Sequence, residues 1–331
     1  MLTTRLDRPT VRAAIALANR APSIHNSQPW RWRIGASSVH LFADPERALP
    51  ATDPEGRDLL ISCGAALHHL RTALLATGSA GRVDRMPDPA HPHHLAAVEL
   101  APAEPTADDL ALARAIENRH SDRRVFSTWE VPDEFLEDLR RAAVSEGATF
   151  LVLDPNRRWE VTRLIERAAV QQALTPGHAQ EVAAWSGRAR GAAEGVPAAN
   201  VPGDVTAEVP VRHFAAHEMP QNGLGRYESD GTVLALLATD GDGPVDRLRA
   251  GEALSAVLLA ATATGLATDP ISQPFEVPET RARLAADCLP SGRSPHVLIR
   301  LGWAPIGATP VPPTGRRPVD DTIDAFDEPW T

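Results

Sequence analysis

The chain reads as an α+β protein made of two fused, pseudo-symmetric halves, and three pairs of matching segments carry that reading. The run from Gly64 to Gly78 lies over the run from Gly251 to Gly265 without a gap, sharing Ala66/Ala253, Leu67/Leu254 and Thr77/Thr264. Both keep apolar groups at helical spacing, and both end on a glycine suited to a helix C-cap. Each is followed by a strand pattern ending in Ala-Pro, His94 to Pro102 and His296 to Pro305. Upstream, Val39 to Pro45 resembles Phe150 to Pro155, a strand closing in an Asp-Pro turn. Ala-rich helices resemble one another by chance, but three matches in one order favour duplication. Each half is then a unit of helix, strand, turn, helix and strand.

The first half (1–107) opens with an Ala-rich helical run from Val11 to Asn19, and the Trp32 to Ile34 strand pattern follows. Trp30 and Trp32 are expected to anchor that strand in the core. Between helix and strand lies Ala21-Pro22-Ser23-Ile24-His25-Asn26-Ser27-Gln28-Pro29-Trp30. Roughly two to six residues suffice for such a connection, so this longer string of small, amide and aromatic groups has the makings of a ligand-binding loop. The strand and helix already matched come next. The Pro-rich connector Pro87 to Pro92 then leads into His91-Pro92-His93-His94. That cluster has no acidic or sulfur partner at ligand spacing and reads as a solvated loop, so no metal is expected.

The second half (108–331) begins with Arg119-His120-Ser121-Asp122-Arg123, ahead of an amphipathic helix from Pro132 to Ala143. Twenty positions separate Asp44 from Gly64 but 97 separate Asp154 from Gly251, so this half carries about 77 extra residues, placed near 157–235. Helices are expected from Arg157 to Leu174 and from Ala179 to Ala189, and irregular cover from Gly191 to Pro210. Insertions of this length in a compact domain usually act as lids or bind partners, and this one is read as a lid. Arg212-His213-Phe214 carries either the tip of that lid or an ordinary return strand with Val209 and Val211. A Pro-rich tail, Pro310 to Pro318, ends the matched region.

With 331 residues, 43% hydrophobic and 23% charged, the chain has ample material for a core. Net charge is −10, every basic residue is arginine, and no long basic stripe exists, so nucleic acid is a poor partner. No apolar run approaches the roughly 20 residues that span a bilayer, and no signal-peptide pattern opens the chain, so a cytoplasmic location is expected. Cys63 and Cys288 are expected to be reduced and structural.

Taken by residues alone, Arg119 and Ser121 can reach one anion through charge-assisted bonds, with Arg123 further along the same face. The alternative is an exposed basic turn before the Pro132 helix. The two strings together resemble the Pro-Ser-x-x-Asn-x-Gln-Pro-Trp and Arg-His-Ser-x-(Lys/Arg) motifs of the flavin-dependent nitroreductase family. That resemblance implies a mostly antiparallel sheet wrapped by helices and one non-covalent FMN between the halves. By it, Arg119, Ser121 and Arg123 hold the FMN phosphate, ribityl chain and N1–O2 edge, while Pro22, Ser23 and Asn26 come from the opposite half. The family's Gly-Leu-x-x-x-Pro-Ile segment matches Gly265 to Ile271, placing Pro270, Ile271, Ser272 and Gln273 near flavin N5. Arg316 and Arg317 stand where the family has a basic residue on the phosphate.

Two departures matter: Ile24 replaces a second loop serine, and Ser272 with Gln273 replaces an acid before the N5 donor. The fused layout with a long insertion resembles the Acg-like branch. The resemblance implies an oxidoreductase in which NAD(P)H and a small electrophilic acceptor, a nitroaromatic or quinone, alternate on one ring face, with the chemistry on flavin N5 and no catalytic side chain. The second hypothesis is an FMN-sequestering protein closed by its lid. His25 is expected to be structural, although its ordinary pKa suits proton transfer. One chain would form the pseudo-dimer, as a monomer or weak homodimer.

Overall fold

Asp7 begins the first helix: its carboxylate accepts the Thr10 amide at 3.3 Å, and Pro9 sits in a first turn whose amides need no carbonyl partner. The computed structural model describes residues 7–203, 208–220 and 231–324. The first half holds α1 (Arg8–Ala18), β1 (Trp30–Ile34), β2 (Ser38–Ala43), α2 (Arg57–Ala76), β3 (Ser79–Arg85) and β4 (His94–Pro102). The second holds α3 (Ala107–Asn118), α4 (Asp133–Ser145), β5 (Thr149–Val152), α5 (Pro155–Ala173), α6 (His178–Trp185), β6 (Ser186–Arg188) and β7 (Val196–Pro197). It continues with β8 (Val233–Thr239), α7 (Pro244–Ala263), β9 (Ala267–Ile271), α8 (Gln273–Glu276), α9 (Pro278–Cys288) and β10 (Ser294–Gly302).

Two four-stranded sheets result, in the orders β1-β2-β4-β3 and β5-β8-β10-β9, with every pairing antiparallel. Identical order and sense in both sheets make the architecture α+β, as the duplicated segments predict, but the order corrects one match. Val39 to Ala43 lies in β2, second in its sheet, whereas Phe150 lies in β5, an edge strand equivalent to β1. The counterpart of β2 is β8, which the spacing of the matched segments leaves inside the insertion. In the first half β1 and β2 form a hairpin across residues 35–37; in the second, 153–232 opens that hairpin. The insertion therefore ends before Val233, and its residues 204–207 and 221–230 lie outside the described residues.

β8 is hard to see in the sequence because both its faces are buried. Ala235 and Leu237 face the core with α7, while Leu234 and Leu236 pack with Val161 and Ile165 of α5 and Leu284 of α9. A strand covered on both sides loses the period-2 alternation that marks a half-buried one.

The halves meet where α2 crosses α7 at the two aligned glycines. A Cβ on Gly64 would lie 2.0 Å from the Leu248 carbonyl oxygen, and one on Gly251 would lie 2.0 Å from the Ile61 carbonyl oxygen. Leu248 and Ile61 each stand three residues before the opposing glycine, so the contact is reciprocal, as at a two-fold interface. A buried network seals one side: Glu252 of α7 accepts Arg71 of α2 at 2.8 Å and Arg85 of β3 at 2.6 Å. Among the described helices α2 is the one long and apolar enough to cross a membrane, although Arg57, Asp58 and Arg71 interrupt its apolar run. Leu67, Leu70, Ala73 and Leu74 spend that hydropathy on the protein's own core.

Two segments of the second half reach back across the first. Residues after β10 lay Ile323 beside Trp32 as a parallel bridge, and Thr322 accepts the Asn19 amide at 2.8 Å. From the insertion, Glu181 accepts the Ala51 and Thr52 amides at 3.0 and 2.8 Å, and Glu194 pairs with Arg47.

Candidate functional site

The loop after α1 is strained in a local and repeated way. His25, Asn26 and Gln28 have φ values of 48°, 54° and 52°, three non-glycine residues in left-handed conformation within four positions. Such strain persists only where surrounding bonds over-determine it, and it concentrates at ligand sites. The bonds are visible. Ser23 Oγ accepts the Gln28 amide at 3.0 Å, and Ser62 Oγ of α2 accepts the Ile24 amide at 3.1 Å. Asn26 Nδ2 donates to the carbonyls of Gly195 and Gly315 at 3.1 and 3.2 Å, while Gln28 Nε2 donates to Ala193 at 2.8 Å. The loop is thus clamped between the insertion and the tail.

Opposite it, residues 119–124 are pinned from beneath. Asp122 grips Arg124 through two bonds of 2.8 and 2.6 Å, and its amide donates to the Thr268 carbonyl of β9 at 2.8 Å. With Asp122 turned inward, Arg119, Ser121 and Arg123 line a cavity of about 360 Å³ whose far wall is the strained loop. That volume falls in the range of small-molecule sites, roughly 300–1,000 Å³. Pro22, Ser23, Asn26, Pro270, Ile271, Ser272 and Arg316 also line it. The sequence motifs, close to a hundred residues apart, therefore converge.

Two predicted site residues do not face the cavity. Gln273 is turned away, donating to Gln172 Oε1 of α5 at 2.8 Å. Arg317 lies behind the loop, donating to the Gln28 carbonyl at 3.3 Å and standing 3.6 Å from Asp44. Each has a partner in the protein, and Arg316 alone of the tail pair reaches the cavity.

One end of the cavity is strongly cationic. Arg20, Arg119 and Arg316 line it together. Arg316 is held by the carbonyls of Gly315 and Arg20 at 2.9 and 3.0 Å. Arg119 is different: only 8% exposed, it has no carboxylate partner among the described residues, and its Nε and Nη1 make no hydrogen bond. Burial, then Arg20 and Arg123, push its pKa down to about 10, and burial with Arg119 and Arg20 pushes that of Arg316 down to about 9. Buried donors are almost always satisfied, and an anion is the chemical partner that this set of cations can take.

The other end is mixed and roofed by the insertion. Arg123 stands 4.0 Å from Asp269 and 5.1 Å from the Phe214 ring centre. Asp269 is shared with the fully buried Arg300, whose Nη1 donates to it at 3.4 Å. Arg212 bonds His25 Nε2 at 3.0 Å and pairs with the buried Glu276. The return strand expected as one reading of the Arg212 segment is not formed: residues 209–213 are in no strand, and Val211, Arg212 and Phe214 line the cavity. His25 stays neutral, its pKa driven well down by burial and then by Arg212, His178 and Arg123. Asp58, at the start of α2, also lines the cavity, and its pKa is driven well up by burial and then by Asp53 and Glu276. Asp58 and Arg20 carry no sequence signal, being single residues outside any motif, and Asp269 falls on an unspecified position of the Gly265 to Ile271 segment.

No protein-family model matches the chain. Two Mycobacterium tuberculosis proteins do. One, provisionally named NAD(P)H nitroreductase Rv3131, is 41% identical over 319 residues, 96% of this chain and 92% of its own length. The other, provisionally named NAD(P)H nitroreductase acg, is 34% identical over 327 residues, 97% of each chain. Among solved structures, a nitroreductase with bound FMN from Desulfitobacterium hafniense is 16% identical with a TM-score of 0.41, over 65% of this chain and 97% of its own. A second FMN-bound nitroreductase, from Bacteroides fragilis, is 18% identical with a TM-score of 0.38, over 60% and 90%. On the strength of the two mycobacterial relatives, which it matches almost end to end, this chain belongs to the NAD(P)H nitroreductase family, in the branch that includes acg.

Proposed function

We propose that the cavity holds one FMN and that the protein is an NAD(P)H-dependent oxidoreductase reducing a small electrophilic acceptor such as a nitroaromatic or quinone. The observation that carries this is the buried, unbonded Arg119 guanidinium between Arg20 and Arg316. Leaving such a group unpaired costs several kcal/mol, a cost that a dianionic phosphate would reverse through charge-assisted bonds. The donor set fits the group along its length. Ser121 and Arg123 follow Arg119 along the wall, and Asn118 and Thr314 complete the cationic end. Arg123 stands where a cation favours added negative charge on a ring edge. Pro270, Ile271 and Ser272 form the flank, and Phe214 lies across it as an aromatic roof. FMN bound there supplies a two-electron carrier that accepts hydride from a dihydronicotinamide and delivers it onward. The protein's part is to orient, to exclude water and to bias charge.

The roof also favours a second reading. Val211, Arg212 and Phe214 occupy wall positions that a substrate would use, and Arg212 is latched to Glu276 and His25. A roof that never opens would make the protein a flavin store. Anaerobic stopped-flow mixing of the FMN-loaded protein with NADPH separates the two. Rapid, saturable bleaching of the flavin band is expected for the oxidoreductase, and a band that persists supports storage. A purified protein that takes up no FMN overturns both.

A further inference from the structure

The cavity wall contains a carboxyl group that nothing in the protein ties down. Asp58 is 5% exposed and lies in the first turn of α2, with no hydrogen bond or ion pair to its side chain among the described residues. Asp53, its neighbour, is fully engaged, accepting the Arg57 amide at 2.8 Å and the Leu59 amide at 2.8 Å. Asp53 thereby takes the helix-end amides that would otherwise favour a charged Asp58. Glu276 of α8 is engaged as well, by Arg212, Gln172 and Ser272. His25 lines the same cavity at 7% exposure, and its Nδ1 has no hydrogen-bond partner among the described residues. With Arg212 donating to Nε2, the His25 proton resides on that Nδ1. Two polar groups, one carboxyl and one imidazole N–H, thus point to a ligand at the roofed end.

We infer that Asp58 is the proton donor for the acceptor, a positioned carboxylic acid that completes the reduction begun by hydride transfer. The inference rests on the FMN reading above and deepens it. Hydride delivery brings two electrons to the acceptor and leaves negative charge on its oxygen. The Asp58 O–H bond breaks as an acceptor O–H bond forms, Asp58 is left as carboxylate, and solvent returns its proton after product leaves. Over a full cycle a dihydronicotinamide is oxidised, the acceptor gains two hydrogens, and one solvent proton is consumed. His25 Nδ1 donates a hydrogen bond to the same oxygen without losing its proton.

The groups facing Asp58 set its protonation. Asp53 and Glu276 oppose its ionisation, Arg212 of the insertion and Arg57 of α2 favour it, and burial is the largest influence, keeping the acid neutral. A neutral acid at working pH is what general-acid catalysis needs.

The test uses FMN-loaded protein reduced with dithionite, so that it does not depend on NADPH, then mixed with a quinone. Asp58→Asn keeps the shape and neutrality of the acid but has no proton to give. It is expected to take up FMN as the wild type does and to reoxidise a hundredfold or more slowly. Wild-type reoxidation is expected to fall tenfold per pH unit once Asp58 ionises and to show a solvent deuterium isotope effect, both absent in the variant. Infrared spectroscopy provides a readout apart from turnover: a protonated-carboxyl band at pH 7 in the wild type, missing from Asp58→Asn. Should the variant fail to fold, the wild-type pH profile and solvent isotope effect decide alone. FMN uptake with unchanged reoxidation in Asp58→Asn, or an Asp58 already ionised at pH 7, overturns this inference and leaves the FMN reading standing. No FMN uptake by the wild type overturns both.

Discussion

Arg119 is costly to the protein without its ligand, and that cost has a measurable sign. Its guanidinium is buried beside Arg20, Arg123 and Arg316 with no counter-charge among the described residues. Arg119→Ala is therefore expected to weaken FMN binding by about 1.5–3 kcal/mol, the scale of a charge-assisted hydrogen bond, or roughly tenfold to a hundredfold in Kd by flavin-fluorescence titration. The same substitution should leave the flavin-free protein as stable as the wild type or more so, because it removes like-charge repulsion and a desolvated cation. A less stable flavin-free variant with unchanged Kd would make Arg119 structural. Residues of this kind are legible in the sequence only inside motifs. Arg119 and Ser23 announce themselves through their neighbours, whereas Asp58 looks like any acid opening a helix. Gln273 and Arg317 belong to the motifs too, yet Gln172 and Asp44 turn them away from the cavity, and no sequence spacing reveals such partners.

At the level of elements, the α2–α7 crossing explains why the duplicated segments each keep a glycine at the same place. Helices this close need a position with no side chain, and the overlap of a Cβ there is with backbone, which cannot move aside. Gly64→Ala and Gly251→Ala are each expected to destabilise the protein by roughly 3 kcal/mol, the upper range for overpacking, read as a lowered urea midpoint. Because each glycine faces the backbone three residues before the other, the double variant should cost less than the sum. Destabilisation below about 0.5 kcal/mol in both single variants, the usual range for a harmless surface change, would mean the crossing relaxes freely. The helices of the duplication are legible because they carry a long apolar period and glycine ends. The strand register is not: β5 and β2 both end in Asp-Pro, and only pairing shows that one is an edge and the other interior. β8, apolar on both faces, offers no alternation from which to locate it.

For the molecule as a whole, buried imidazoles decide the response to acid. Burial first, and nearby arginines for several, depress the histidines: His68 and His94 fall to about 4, His296 to about 3, and His25 and His69 lie well below their usual range. These groups are neutral in the fold but take up protons in the unfolded chain below about pH 6.5. Their contribution is therefore fully present above pH 6.5 and is lost as pH falls towards 4 and then 3. Asp53 works in the opposite direction: raised to about 6, chiefly by burial, it holds a proton in the fold that the unfolded chain releases, so its contribution grows as pH falls from 6 towards 4. Asp58 acts in the same sense. Glu252 and Asp269 are raised as well, but His40, His120 and His178 are also lowered, so eight depressed imidazoles outnumber four raised carboxyls. Urea midpoints measured at pH 7.5, 6.0 and 4.5 should fall steadily, with FMN held in fixed excess because bound ligand adds its own stability. Substituting His296 with glutamine should flatten the slope below pH 6, since an amide in place of the ring has no proton to gain on unfolding. A midpoint that holds or rises on acidification would mean the raised carboxyls govern, and that these histidines are already protonated in the fold.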